Sequence, residues 1–372
     1  MIIMKVIILT MSTGNGHNIA SYALKNYLKS LGMEAKVVDA YKFFNKQLSD
    51  LLEKGYLMST KYAPYMYGKF YRSMEKHNPE SRLAWSTFCN SFVARQFAKY
   101  ISRQNPDMVV STHPLAAVLM SEYKRKKLVD TKTIGIVTDF CILPYWDMAD
   151  MDYYITANEH IKDLLIKKGI HPDKILPYGI PIDLKFSQKI SKEEARRKLG
   201  IENKETLFII SGSMGFGKTE KYIKSLDSID RDFQIISVCG RNENMKNRVD
   251  RLITKKKVYN FGYVDNVDVI MDASDIIVTK PGGLTVSEAI AKKLPMVLVD
   301  PIPGQEDRNK EFLINNSLAM GVSKNAPLDE VVSQLIKCPE RREQIKAMQT
   351  ILGKPLAAKT LGDRIVEILK EA

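Results

Sequence analysis

Asp275-Ile276-Ile277-Val278-Thr279-Lys280-Pro281-Gly282-Gly283-Leu284-Thr285-Val286-Ser287-Glu288-Ala289 sets the fold. Its first part is an apolar run without polar alternation, the pattern of a strand covered on both faces. Pro281, Gly282 and Gly283 then break the run, and a helix-length segment follows. Strand, glycine turn and helix in that order are one unit of a parallel α/β sheet. Backbone amides in such a turn can cradle a diphosphate, and the helix dipole adds roughly half a positive charge at that end. Glu288 falls about a turn and a half into the helix, where a carboxylate can accept both hydroxyls of a ribose. An ordinary solvated helix position is the plainer reading of Glu288.

Working outward, the same alternation recurs on both sides. In the first half the strand-like runs are Lys5–Thr10, Glu34–Asp39, Met108–Thr112, Thr133–Thr138 and Tyr153–Thr156. In the second half they are Thr206–Ser211, Gln234–Cys239, Lys257–Phe261, Asp275–Thr279 and Met296–Asp300. Between the two series Pro177, Gly179, Pro181 and the polar stretch 187–192 interrupt the pattern. Ser191-Lys192-Glu193-Glu194 then reads as a capping box opening a helix. The expectation is an α/β chain of two doubly wound Rossmann-like domains facing each other across a cleft. Residues 1–180 form the first of these domains and 181–355 the second. Residues 356–372, with a helix over Leu361–Leu369 after Gly353 and Pro355, are free to pack on either. Ligands of such sheets bind at the carboxyl ends of the strands.

Length and composition agree with this. A chain of 372 residues, 45% apolar and 27% charged, has the size of two ordinary domains and can bury a sizeable core. Its formal net charge of +13 favours anionic partners: phosphate-bearing substrates, an acidic membrane face or nucleic acid. No nucleic-acid-binding motif is present, so nucleic acid is not expected. Cys89, Cys141, Cys239 and Cys338 are far apart, which suggests neither a zinc site nor a disulfide framework and fits a reducing cytoplasm. No apolar stretch is long enough to cross a bilayer, so membrane contact is expected to be peripheral.

Three more loops follow strands. Gly14-Asn15-Gly16-His17 comes after the first, with a helix beginning near Asn18 and His17 at its start. A histidine there, with an unperturbed pKa near neutrality, is a credible general base. A plain helix-capping histidine fits the spacing equally well. Pro303-Gly304-Gln305-Glu306 follows the run Met296–Asp300, and Gln305 and Glu306 offer donors and acceptors suited to sugar hydroxyls. A polar loop leading into a helix fits the same residues. Ser211-Gly212-Ser213-Met214-Gly215-Phe216-Gly217-Lys218 has glycines and hydroxyls that can close over phosphates, or serve as an interdomain loop. Neither a P-loop nor a dinucleotide fingerprint is present, which disfavours nucleotide hydrolysis and NAD binding.

Residues 41–72 differ in kind. They hold nine aromatics (Tyr41, Phe43, Phe44, Tyr56, Tyr62, Tyr65, Tyr67, Phe70 and Tyr71), six basic residues and two acidic ones. Aromatics beside cations suit the headgroup layer of an anionic bilayer. Packing of a core helix pair is an equal alternative. Phe43, Phe44, Tyr62, Tyr65, Tyr67, Phe70, Tyr71 and Trp146 are the candidates for membrane or acceptor contact.

These segments together resemble the monogalactosyldiacylglycerol synthase and processive diacylglycerol glucosyltransferase group of glycosyltransferase family 28, which is similar to the peptidoglycan GlcNAc transferase. The likeness runs from about Lys5 to Met320. It includes Val137-Thr138-Asp139-Phe140-Cys141, Gly179-Ile180-Pro181-Ile182, Cys239-Gly240-Arg241-Asn242 and Phe261-Gly262-Tyr263-Val264 beside the loops quoted above. The resemblance implies a GT-B fold and an inverting transfer of glucose or galactose from a UDP-sugar to the free hydroxyl of diacylglycerol, once or in succession. No metal or other cofactor is implied. By the match, Gly282, Gly283 and Thr285 hold the diphosphate and Glu288 the ribose. Gln305 and Glu306 hold the sugar, and Phe261 to Tyr263 with Arg241 lie by the uracil. Gly14, Gly16, Ser213 and Lys280 complete the donor set, and His17 or Asp139 is the base. The first loop lacks a third glycine found in the plant enzymes, and the loop at Ser213–Gly217 is less regular. The expected place is the inner face of the cell membrane. A non-lipid enzyme of the same fold, such as a UDP-sugar 2-epimerase, and a UDP-sugar sensor without catalysis are the alternatives.

Overall fold

The computed structural model describes residues 4–11, 15–43, 92–210 and 218–371. The chain divides into two compact units. The first holds residues up to Leu184, the short piece Ile302–Gln305 and the tail from Leu356; the second holds Lys185–Pro301 and Glu306–Pro355.

In the first unit β1 (Lys5–Thr10), β2 (Glu34–Asp39), β3 (Met108–Ser111), β4 (Lys132–Ile136), β5 (Tyr153–Ile155) and β6 (Ile175–Leu176) form a parallel sheet in the order β2-β1-β3-β4-β5-β6. Helices α1 (Gly16–Ser30), α2 (Phe92–Gln104), α3 (Pro114–Arg125) and α4 (Glu159–Lys167) connect its strands. The continuous apolar run of β1 is explained by burial on both faces. Val6 and Ile8 join the core under α1, whereas Ile7 and Leu9 join the one that holds Phe97, Leu119 and Tyr123. The chain leaves β1 toward β2 and returns to β3 on its other side, so the switch point lies between β1 and β3.

The second unit repeats the plan. The strands β7 (Thr206–Ile210), β8 (Gln234–Val238), β9 (Val258–Phe261), β10 (Ile276–Thr279), β11 (Met296–Leu298) and β12 (Met320–Gly321) are parallel, in the order β12-β11-β10-β7-β8-β9. The helices are α5 (Lys192–Leu199), α6 (Thr219–Asp227), α7 (Glu243–Asp250), α8 (Val267–Ala273), α9 (Gly283–Ala291), α10 (Gln305–Asn315), α11 (Leu328–Lys337) and α12 (Pro339–Leu352). Here the switch point lies between β7 and β10. Ser191 caps α5, its Oγ accepting the Glu194 amide at 3.2 Å.

The last helix, α13 (Ala357–Glu371), packs on the first unit. Leu361, Ile365 and Ile368 make an i, i+4, i+7 stripe that joins Leu24 and Leu28 of α1 in one core. The Tyr27 hydroxyl donates to Asp363 at 2.7 Å. A β-carbon at Gly362 would lie 2.3 Å from the Tyr27 ring, so only glycine lets the helices approach this closely.

Two expectations for the aromatic residues need correction. Trp146 is 1% exposed, and its ring lies so close to β4 that a β-carbon at Gly135 would meet it at 2.7 Å. It is a core residue, not a membrane contact. Phe43 packs edge-on against Phe97, ring centroids 5.1 Å apart, and against Tyr100, so it extends the core instead of standing free. Phe44, Tyr62, Tyr65, Tyr67, Phe70 and Tyr71 lie outside the described residues.

Candidate active site

At the switch point of the first sheet, His17 occupies the first turn of α1 and is 8% exposed. Its Nδ1 lies 2.7 Å from the Thr112 carbonyl oxygen, just past β3. A carbonyl only accepts, so Nδ1 carries the proton and donates it. The Thr138 hydroxyl lies 3.0 Å from the same nitrogen. The neutral ring therefore presents Nε2 with its lone pair, the form a general base needs. Burial lowers the His17 pKa; the charge of Asp139 and the bond to Thr112 partly oppose that shift. At neutral pH the ring is thus uncharged and able to take a proton. Ser21 ties the turn together, its Oγ donating to the His17 carbonyl at 2.8 Å and lying 3.1 Å from the Thr112 hydroxyl.

His113, which sequence reading passed over, stands against His17 with ring centroids 4.7 Å apart and planes at 70°. Its Nδ1 accepts the Leu115 amide at 3.2 Å as the cap of α3. Burial, and then the neighbouring His17, push its pKa well below the ordinary value. The signal was present in Thr112-His113-Pro114: a polar residue between a strand end and a helix-opening proline at the switch point.

Asp139 follows β4 and is 2% exposed. The Gln305 side-chain amide donates to its Oδ2 at 2.7 Å, and the Cys141 thiol lies 3.8 Å from the Gln305 carbonyl oxygen. Asp139 and Gln305, assigned separately to the base and the sugar, are thus direct partners. With Nε2 engaged by the carboxylate, Gln305 has its Oε1 as the atom that faces elsewhere, an acceptor for a hydroxyl.

In the second unit, Gly282 caps α9 with extended backbone and no side-chain cap. Gly282 thus offers the first-turn amides no side-chain acceptor, while its own amide donates to the Lys280 carbonyl at 2.9 Å. Asn309 is fully buried and donates to the Pro281 carbonyl at 3.0 Å, fixing the loop from below. Glu306 lies beside Gly282, its Oε1 3.7 Å from where a β-carbon would stand. Glu288 is 8% exposed, so the ordinary solvated reading does not hold; Thr285 and Lys280 are half-buried. Past β8 and β9, the Arg241 guanidinium lies 5.2 Å from the centre of the Tyr263 ring, and Tyr263 is 59% exposed. Phe261 ends β9. Gly16 is the first residue of α1, whereas Gly14 and Ser213 lie outside the described residues.

The family described as monogalactosyldiacylglycerol (MGDG) synthase matches residues 17–182, and the glycosyltransferase family 28 C-terminal domain matches residues 206–361. A processive diacylglycerol beta-glucosyltransferase of Bacillus pumilus is 30% identical over 98% of this chain and 94% of its own length. The chain belongs to this glycosyltransferase family. Among solved structures, MurG of Acinetobacter baumannii is similar over 98% of this chain and 99% of its own, with a TM-score of 0.62 at 14% identity. Anabaena HepE, solved in complex with UDP, covers 99% of this chain and 100% of its own, with a TM-score of 0.57 at 14% identity. The fold is that of the GT-B glycosyltransferases, as the sequence led one to expect. The enzyme is a UDP-sugar-dependent glycosyltransferase; the epimerase and sensor alternatives are not favoured by full-length relatives with transferase names.

Proposed function

We propose that this glycosyltransferase moves a hexose, glucose before galactose, from UDP to the free hydroxyl of diacylglycerol, adding one sugar or several in succession. The observation that carries the mechanism is the anchoring of His17 Nδ1 to the Thr112 carbonyl, which leaves Nε2 as the free basic atom. The acceptor oxygen attacks the anomeric carbon on the face opposite the diphosphate. The new C–O bond forms as the bond to the leaving phosphate breaks, and Nε2 takes the hydroxyl proton. Attack from that face turns an α-linked donor into a β product, the linkage for which the Bacillus pumilus relative is named.

Charge grows on UDP as it leaves. The amides at the start of α9, with Lys280 nearby in sequence, are pre-aimed at it, so we assign the stabilisation to them without a bound metal. Glu288 takes the ribose, Arg241 and Tyr263 the uracil, and Glu306 and the free Oε1 of Gln305 the sugar. In this reading Asp139 orients Gln305 and steadies the imidazolium that forms at His17, while His17 itself is the base.

The acceptor is a lipid and the net charge is +13, so we place the enzyme on the anionic inner face of the cell membrane. Among the described residues no helix is long and apolar enough to cross a bilayer. The test supplies labelled UDP-glucose or UDP-galactose with diacylglycerol vesicles and resolves the lipid products. Label in a monohexosyl or dihexosyl lipid supports the proposal; free sugar alone, or no label in lipid, overturns it.

A further inference from the structure

Asp300 is a carboxylate in a place that gathers cations. It lies just past β11, beside the ends of β10 and β7; Lys280 follows β10, and Lys218 is the N-cap residue of α6. The Lys218 ammonium is 3.1 Å from Asp300 Oδ2, and the Tyr222 hydroxyl donates to the same oxygen at 2.6 Å. Burial, and then the bond to Asp300, raise the Tyr222 pKa, so the phenol is a permanent donor. Lys280 adds a weaker pull on the same carboxylate. Asp300 also holds a φ of +38°, a left-handed conformation that costs an L-residue energy and persists only where the surroundings enforce it.

The two partners of Asp300 differ in kind. Tyr222 is 7% exposed and fixed in the core, whereas the Lys218 side chain is 58% exposed and only loosely held by one charge. A negative group at the switch point of this sheet repels an anionic donor unless it is neutralised. Asp300 is neutralised by a cation that is free to leave it.

We propose that Lys218 is a diphosphate ligand stored on Asp300: when a nucleoside diphosphate enters, the ammonium leaves the carboxylate for the phosphate oxygens. Tyr222 holds Asp300 in place during the exchange. The charge of a diphosphate exceeds that of one carboxylate, so the exchange runs toward the ligand. When UDP departs, Asp300 takes the ammonium back and the site does not keep its full positive charge for a product anion. The inference rests on the donor reading above and adds a residue and its counter-ion to it.

Calorimetric titration of the full chain with UDP and with UMP tests this, using wild type, Lys218→Met, Asp300→Asn and the double variant. Lys218→Met should weaken UDP binding about tenfold, the scale of one charge-assisted contact, and leave UMP within about twofold. UMP binding also reports that the variant is folded. Asp300→Asn should tighten UDP about threefold by removing the competitor, and that gain should vanish when Met occupies position 218. The same gain with either residue at 218 would mean a diffuse field effect and overturns the exchange. So does unchanged UDP affinity in Lys218→Met, or weaker binding in Asp300→Asn. If wild type binds no UDP, the donor reading falls and takes the exchange with it; a failure confined to the variants sinks the exchange alone.

Discussion

The two switch points of this enzyme are built from opposite materials. In the first sheet the groups at the candidate site are buried side chains: His17, His113 and Asp139 are each less than a tenth exposed and held by hydrogen bonds. In the second sheet the surface we assign to the donor is the backbone at the start of α9, with half-buried or exposed side chains such as Lys280, Lys218 and Tyr263 around it. The difference follows from the task. A base must keep one tautomer and a depressed pKa, and burial with a fixed acceptor provides both. A donor site must take up and release a multiply charged molecule, which suits amides that need no counter-ion and cations that remain hydrated.

If this division is right, substitutions at the two sites should separate turnover from donor affinity. The largest effect belongs to His17→Ala, which removes the base: kcat should fall by roughly 10²–10⁴-fold, with the Kd for UDP within about twofold of wild type. Pre-steady-state transfer and UDP calorimetry measure the two quantities. A collapse of UDP binding would move His17 into the donor site and erase the contrast. Glu288→Ala should do the reverse. It removes the buried carboxylate that we assign to the ribose, so the Kd for UDP should rise about tenfold, the equivalent of about 1.4 kcal/mol, before turnover at saturating donor changes much. Equal affinity in the variant and wild type would return Glu288 to a packing role in α9.

The contrast also explains what the sequence could reveal. The inner strands were legible because burial on both faces leaves unbroken apolar runs, as in Val6-Ile7-Ile8-Leu9 and Ile276-Ile277-Val278. The edge strands Ile175–Leu176 and Met320–Gly321 were not, since two residues are too few to show any period. The glycine loop at 281–283 announced itself because backbone chemistry leaves a compositional trace. The imidazole pair did not. His113 is a single residue far from His17 in the chain, and only the β1–β3 neighbourhood brings the rings together. Trp146 misled for a related reason: an aromatic beside a cleft motif looks like a ligand contact until Gly135 shows that the ring lies on the sheet. The amphipathic stripe of the last helix showed that it packs, but not against which helix; Gly362 against Tyr27 fixes α1 as the partner.

The smallest expected effect is the sharpest test of the buried site, because it separates Asp139 as a partner from Asp139 as the base. The base form of His17 is the neutral ring, so kcat/KM should be flat near neutrality and decline on the acid side. Burial places that decline below the ordinary histidine value of 6.5. The carboxylate of Asp139 favours the charged ring and so raises the His17 pKa against that trend. Asp139→Asn removes this support and should move the acid limb to still lower pH, with activity retained at neutral pH. Because Asp139 also accepts from Gln305, the variant should show a rise of about threefold in KM for the UDP-sugar, as the amide loses its charged partner. The pH profile of kcat/KM for lipid glycosylation reads both. An acid limb that moves upward would mean that Asp139 does not act on the ring through its charge. A loss of turnover as large as that of His17→Ala, across all pH, would instead make Asp139 the proton acceptor and leave His17 to orient it.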